Sequence, residues 1–200
     1  MQALTSLLLA VAWMEPMPPP LTVLRNPDFD TDPAAAVSPA PTNWRWFLDD
    51  GAGGELVWDG IAGAPAPGSG RVRNNRGGQR ADFWGQCLKV APGPFTLRAA
   101  VASQLKPNAS CELRIEINDR ADCSTTPPGV TNLLTRSAVA TTNNAGFETV
   151  QISAVAPLGS ASAWVLLAHR QTSAATPGYS YCHFDHVEWS GNVIFAGRFE

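Results

Sequence analysis

The chain has 200 residues, 44% of them hydrophobic and 16% charged, and a net charge of −3. That balance excludes a disordered polyelectrolyte, and an acidic total gives no overall electrostatic reason to bind nucleic acid. Seventeen Gly and seventeen Pro interrupt the chain too often for long helices, which predicts a single domain of many short strands.

In chain order, Met1–Ala12 is apolar but too short to span a bilayer, which takes about 20 residues. It has the form of a secretory signal peptide, with Ala10-Val11-Ala12 as a small-x-small cleavage site and no basic residue before it. An apolar first strand is the alternative. Residues 13–20 read as a Pro-rich linker, 21–190 as one β-sandwich domain and 191–200 as a C-terminal tail. No later segment has the length and apolarity of a membrane span, so the expected location is secreted, periplasmic or cell-surface.

Strand signals begin at Leu21 and run to Phe29, turning at Asn26-Pro27-Asp28. Thr31–Asn43 is an Ala/Pro loop, Trp44–Leu48 and Glu55–Ile61 are short strands, and Ala62–Gly70 is a second loop. Phe95–Val101, Cys111–Ile117, Phe147–Ile152 and Trp164–His169 are further strands. The clearest is Cys111–Ile117, where Cys111, Leu113, Ile115 and Ile117 alternate with Glu112, Arg114 and Glu116, as in a strand with one buried and one wet face. Phe184 and Val187 stand three apart, so burying both requires one inserted residue: a β-bulge at Asp185-His186. The whole predicts an all-β antiparallel sandwich with the two ends of the domain side by side.

Four cysteines in an exported chain are expected to be paired. Three pairings are open; Cys111–Cys123 as a local clip with Cys87–Cys182 as a long-range staple is favoured, and the long bridge would contribute roughly 4 kcal/mol.

Asn26-Pro-Asp-Phe-Asp30, Ser69-Gly-Arg-Val72, Gln86–Leu97, Phe147-Glu-Thr-Val150, Ser162–Leu167 and Phe184-Asp-His-Val187 occur in the order found in galactose-binding-like jelly-roll domains. The resemblance covers residues 22–190 and implies the architecture of many bacterial carbohydrate-binding modules. Many members of that family hold a structural calcium ion between the first and last strands. The resemblance places Asp30 and Asp185 as its ligands, with Asp30 where a longer Glu is commoner and the carbonyl donors unidentified. The alternative is that Asp28, Asp30 and Asp32 cap a turn and Asp185 accepts backbone hydrogen bonds at the bulge.

Seven Trp suit sugar recognition as well as core packing. Trp46, Trp58 and Trp84 flank loops and are the candidate platforms; Trp164 and Trp189 are assigned to packing. The basic run from Arg71 to Arg80 offers Arg73 and Arg76 to the carboxylates or sulfates of a polysaccharide, against the plainer reading of a solvated hairpin turning at Gly77-Gly78. His183 and His186, with Asp185, form the one His cluster, and a metal there would depend on the bulge.

No G-x-S-x-G, H-E-x-x-H, P-loop or dinucleotide motif occurs. Glu112-Leu113-Arg114 is similar to the E-L-R of alginate lyases, whose Gln-Ile-His and Tyr-rich strands are absent here. The reading is therefore a secreted, non-catalytic module binding a glycan, with no nucleic acid partner. The alternatives are an adhesive surface protein that binds a protein partner, and a small polysaccharide lyase or hydrolase.

Overall fold

The structure is a computed structural model that describes residues 23–31, 44–47, 54–74, 80–123, 132–143, 146–172 and 180–192. The expectations for residues 1–20, for the loop to Asn43 and for the tail beyond 192 lie outside the described residues. The strands are β1 (Arg45–Phe47), β2 (Gly54–Asp59), β3 (Ser69–Asn74), β4 (Arg80–Lys89), β5 (Gly93–Gln104), β6 (Ala109–Asn118), β7 (Asn132–Val139), β8 (Glu148–Ala156), β9 (Ser162–Gln171) and β10 (Ser180–Gly191). They form two five-stranded sheets, ordered β1-β4-β9-β6-β7 and β2-β3-β10-β5-β8, antiparallel at every pairing. No helix occurs among the described residues. The expected all-β sandwich is the fold observed.

Alternation drives the assembly. On β6, Cys111, Leu113, Ile115 and Ile117 are at most 1% exposed and meet Leu97, Ala99 and Val101 of β5 in one core. Thr96, Arg98 and Ala100 of β5 face away from that core. The other face of β6 is less wet than alternation implies, because Glu112 is buried against Arg170 of β9 at 2.7 Å. Two strands escaped the periodic reading. β4 is buried along most of its described length, with Trp84 and Leu88 in the core and Cys87 in a smaller cluster with Cys123, Trp164 and Leu166 on the opposite face. β7 is a sheet-edge strand with no fully buried residue.

The basic run is not a hairpin. β3 pairs with β2 and β10, whereas β4 pairs with β1 and β9, so the chain changes sheets between Asn74 and Arg80. The disulfides also differ from the favoured pairing: they are Cys87–Cys123 and Cys111–Cys182. Cys111 points into the core from one sheet and meets Cys182 pointing in from the other. Cys123 follows the far end of β6, and the strand steps from Cys111 to Asn118 alone span roughly 23 Å at 3.3 Å per residue. Nearness in sequence is distance in space along a strand.

Residues 23–31 are a turn rather than the expected strand. Pro27 has no N–H to donate, and Asn26 and Phe29 take left-handed backbone angles, φ 46° and 47°. Phe29 N donates to Asn26 O at 3.2 Å, and the Phe29 ring enters the core and stacks on Trp44 with centroids 5.2 Å apart.

The segment lies against the last strand as expected: Val187 N donates to Pro27 O at 2.9 Å. The β10 bulge is present as well. Asp185 to Glu188 on β10 faces Ala100 to Arg98 on β5, one residue extra, with His186 at φ 46° and Phe184 and Val187 both buried.

Candidate functional site

The register of the second sheet builds one groove on its outer face. Arg71 and Arg73 of β3 stand opposite His183 and Tyr181 of β10, which stand in turn opposite Ala102 and Gln104 of β5. Val72 and Cys182, the residues between these on β3 and β10, point into the core, so the alternation of β-structure sends the arginine, histidine and tyrosine side chains outward together. With Asp59 at the end of β2, Ile61 and Ala62 just after it and Phe147 before β8, they line a groove of about 400 Å³.

Asp59 shapes the rim. Its Oδ1 accepts from Ile61 N at 3.0 Å and Ala62 N at 3.2 Å, and its Oδ2 from Arg71 Nη1 at 3.1 Å. Burial pushes the Asp59 carboxyl upward, but those two N–H groups, with His183 and Arg71 nearby, hold it below its ordinary value. Ile61 projects from the rim, 90% exposed. The loop behind it is tied by Gly68 N donating to Ala62 O at 3.1 Å and Ala64 N to Asp185 Oδ2 at 2.6 Å.

Tyr181 is half-buried, and its hydroxyl donates to Gln104 Oε1. His183 shares a 3.0 Å hydrogen bond between Nδ1 and Ser69 Oγ. Burial lowers the His183 pKa, against the pull of Asp59 and with the push of Arg71, which favours the neutral imidazole. Ser69 is fully buried, so no reagent reaches its hydroxyl and the Ser–His contact is structural. Glu112 is likewise held in its ion pair to Arg170, and Arg114 pairs with Glu116 at 2.5 Å.

Of the candidate binding residues, Arg73 lines the groove. Arg76 and the side chain of Trp46 lie outside the described residues. Trp84 is no platform: β4 turns it inward, 1% exposed, to meet Phe29 at a centroid distance of 6.5 Å. Trp58 is 37% exposed but sits in the same β2 row as core Leu56, on the opposite side of the strand from Asp59. Its indole N–H donates to Phe29 O at 2.7 Å. Trp164 Nε1 donates to Cys123 O at 2.7 Å, and Trp189 stacks on Phe95. Tyr181, His183, Gln104 and Phe147 are groove residues the sequence did not single out as ligand contacts. The period-two pair Tyr181/His183 was the available signal.

At the bulge of β10, two residues beyond His183, Asp185 is buried, with Oδ1 accepting from His186 N at 2.7 Å and Oδ2 from Ala64 N. Burial raises its pKa to about 6; the two N–H bonds oppose this, and Asp28 and Asp30 add to it. Asp30 itself is exposed. The nearby carbonyls are engaged: Phe29 O by Trp58, Pro27 O by Val187, and Asn26 O by Phe29 N and by Trp44 Nε1 at 2.9 Å.

Calcium takes six to eight oxygen ligands. Among the described residues no group of three or more His, Cys, Asp or Glu side chains converges. Asp30 and Asp185 would supply only part of such a shell. Hydrogen bonds join the two segments, including one between His186 Nδ1 and Asp28 Oδ1 at 2.7 Å. His186 and His183 serve separate places, so no His metal pair forms across the bulge.

No protein-family model and no curated protein matches the sequence. Solved structures do match the fold. The enzymatically active domain of tailspike protein 4 of bacteriophage CBA120 aligns with a TM-score of 0.55 at 11% identity over 76% of this chain, which spans 20% of the tailspike chain. A family 16 carbohydrate-binding module aligns with 0.51 at 13% identity, covering 84% of this chain and 99% of the module. The module TmCBM61, solved with β-1,4-galactotriose, aligns with 0.50 at 11% identity, covering 85% and 98%. The chain thus has a β-sandwich fold like that of these carbohydrate-binding modules, with two disulfides.

Proposed function

We propose that this chain is a non-catalytic carbohydrate-binding module that works outside the cytoplasm, binding a glycan in the groove over β3, β10 and β5. One observation carries the reading: a groove of about 400 Å³ on the sheet's outer face is lined by two aromatic rings, Phe147 and Tyr181, interleaved with polar side chains. Rings supply flat apolar area for the faces of a sugar, and the polar groups around them meet its hydroxyls. The modules that share the fold support the reading. It extends to this chain the binding of carbohydrate, not of the particular sugar seen in one of them. Paired disulfides suit an oxidising compartment, and among the described residues no helix is long and apolar enough to cross a membrane.

Affinity electrophoresis through gels cast with a panel of soluble polysaccharides tests the proposal. At least one polymer should retard the native protein, and Tyr181→Ala or Phe147→Ala should restore free migration while leaving the circular dichroism spectrum unchanged. Unretarded migration in every gel overturns the reading.

A further inference from the structure

A second groove, of about 550 Å³, lies on the same outer face of the β2-β3-β10-β5-β8 sheet. Its floor is a row across three strands: Ser153 of β8 stands opposite Thr96 of β5, and Thr96 opposite Ser190 of β10. Thr96 Oγ1 and Ser153 Oγ share a 3.2 Å hydrogen bond, and Ser153 and Ser190 are exposed. Pro94 and Asn192 line the far end. No charged side chain is among the described residues that line this groove. Its hydroxyls both donate and accept, as those of an uncharged sugar do.

Strand β5 joins the two grooves. Ala102 lies in the first and Thr96 in the second, and the six steps between them span about 20 Å at 3.3 Å per residue. Between them the surface is low at Ala100, which stands opposite Thr149 of β8. Arg98, the one long side chain on β5 in this interval, is drawn toward β10 by Glu188, with Nε 2.5 Å from Oε2. Gln151 lies along its own strand, its Nε2 donating to Ser153 Oγ at 3.1 Å. These contacts leave short side chains, Ala102, Ala100 and Thr149, along the strip between β5 and β8.

We propose that the two grooves are subsites of one binding face, and that the ligand is a linear glycan chain laid along β5. Its ring faces meet Phe147 and Tyr181 at one end, and an uncharged sugar unit sits among Thr96, Ser153 and Ser190 at the other. This rests on the glycan reading above. A disaccharide fits either groove but does not reach from one to the other. Affinity must therefore grow with chain length, because the second contact is made by a molecule already held at the first.

The test uses the intact, disulfide-bonded protein and a linear polysaccharide that retards it in the gels above. Fragments of two, four and six sugar units are cut from that polymer, and the binding of each is measured by calorimetry. The hexasaccharide should bind at least about tenfold more tightly than the disaccharide, a modest part of what joining two subsites can supply. Ser153→Lys, which puts a long charged side chain into the second groove, should bring the hexasaccharide close to disaccharide affinity, and Ser190→Ala should do so in part. Ser137→Lys, at an exposed position on β7 of the other sheet, should leave the length dependence intact.

Equal affinity for the disaccharide and the hexasaccharide overturns the second subsite and leaves the glycan reading standing. So does retention of the polymer without binding of the hexasaccharide. A length dependence that survives Ser153→Lys, or is lost equally in Ser137→Lys, overturns the placement along β5. Failure of every polysaccharide to retard the protein overturns both readings.

Discussion

Gly70 lies directly beneath the ring of Phe29: a Cβ at Gly70 would stand 2.5 Å from Phe29 Cε1 and 2.7 Å from Cζ. The ring fills the space a side chain on β3 would take, and Phe29 is fully buried in consequence. Gly70→Ala should therefore cost about 1–3 kcal/mol through overpacking, and Phe29→Ala about 3–5 kcal/mol through the cavity it leaves. In the Phe29→Ala background, Gly70→Ala should cost much less, because the atom it meets is gone. Urea denaturation of the two single variants and the double variant measures the coupling; simple additivity would contradict the packing.

Proteolysis without reductant should release peptides joined as Cys87–Cys123 and Cys111–Cys182 and in no other combination. The Cys111–Cys182 bridge closes a loop with a sequence separation of 71 and links the two sheets through the core. Replacing both of its cysteines by Ser should cost about 4 kcal/mol, part of it through the unfolded chain. Denaturant midpoints of that double variant against the parent give the figure.

Asp185 carries a pH dependence whose sign is opposite to that of an ordinary paired carboxylate. Its folded pKa, about 6, lies above the ordinary 3.8, so between these values the folded state holds a proton that the unfolded state has released. Stability from this group is present below about pH 4 and is lost as pH rises toward 6, by an amount on the order of 3 kcal/mol. Asp185→Asn removes the dependence. Its unfolding free energy relative to the parent should improve between pH 4 and pH 7, and a relative loss over that range would contradict the burial argument.

His169 acts in the opposite direction. It is fully buried, its Nε2 shares a 2.8 Å hydrogen bond with Ser180 Oγ, and burial lowers its pKa to about 4. A depressed histidine leaves the unfolded state as the better proton acceptor, so stability is whole above about pH 6.5 and falls as pH drops toward 4. His169→Gln should blunt that acid loss. Thermal melts of parent and variant across the interval separate this contribution from that of Asp185.

The join between residues 26–29 and β10 should stand without an ion. Dialysis against a chelator is expected to leave the melting midpoint unchanged. Calcium should raise it no more than magnesium does. A calcium-specific rise would show a shell completed by oxygens other than those engaged here. The exposed His186–Asp28 pair should contribute less than 1 kcal/mol, read from a double-mutant cycle of His186→Ala and Asp28→Asn.

Some of this protein was determined by its sequence alone. Cys111, Leu113, Ile115 and Ile117 had to share a face because strand side chains alternate, and Phe184 and Val187 could both be buried only if one residue bulged between them. Those are local constraints, carried by spacing. Which cysteine meets which, that Trp84 faces the core, and that Arg71, Tyr181 and Gln104 share a groove were decided by tertiary structure. Each depends on the register of strands far apart in the chain, and that register follows from packing two whole sheets together. The same cause put residues 23–31 in a turn: an apolar run with Pro27 within it gains more by sending Phe29 into the core than by adding a strand that cannot complete its hydrogen bonds.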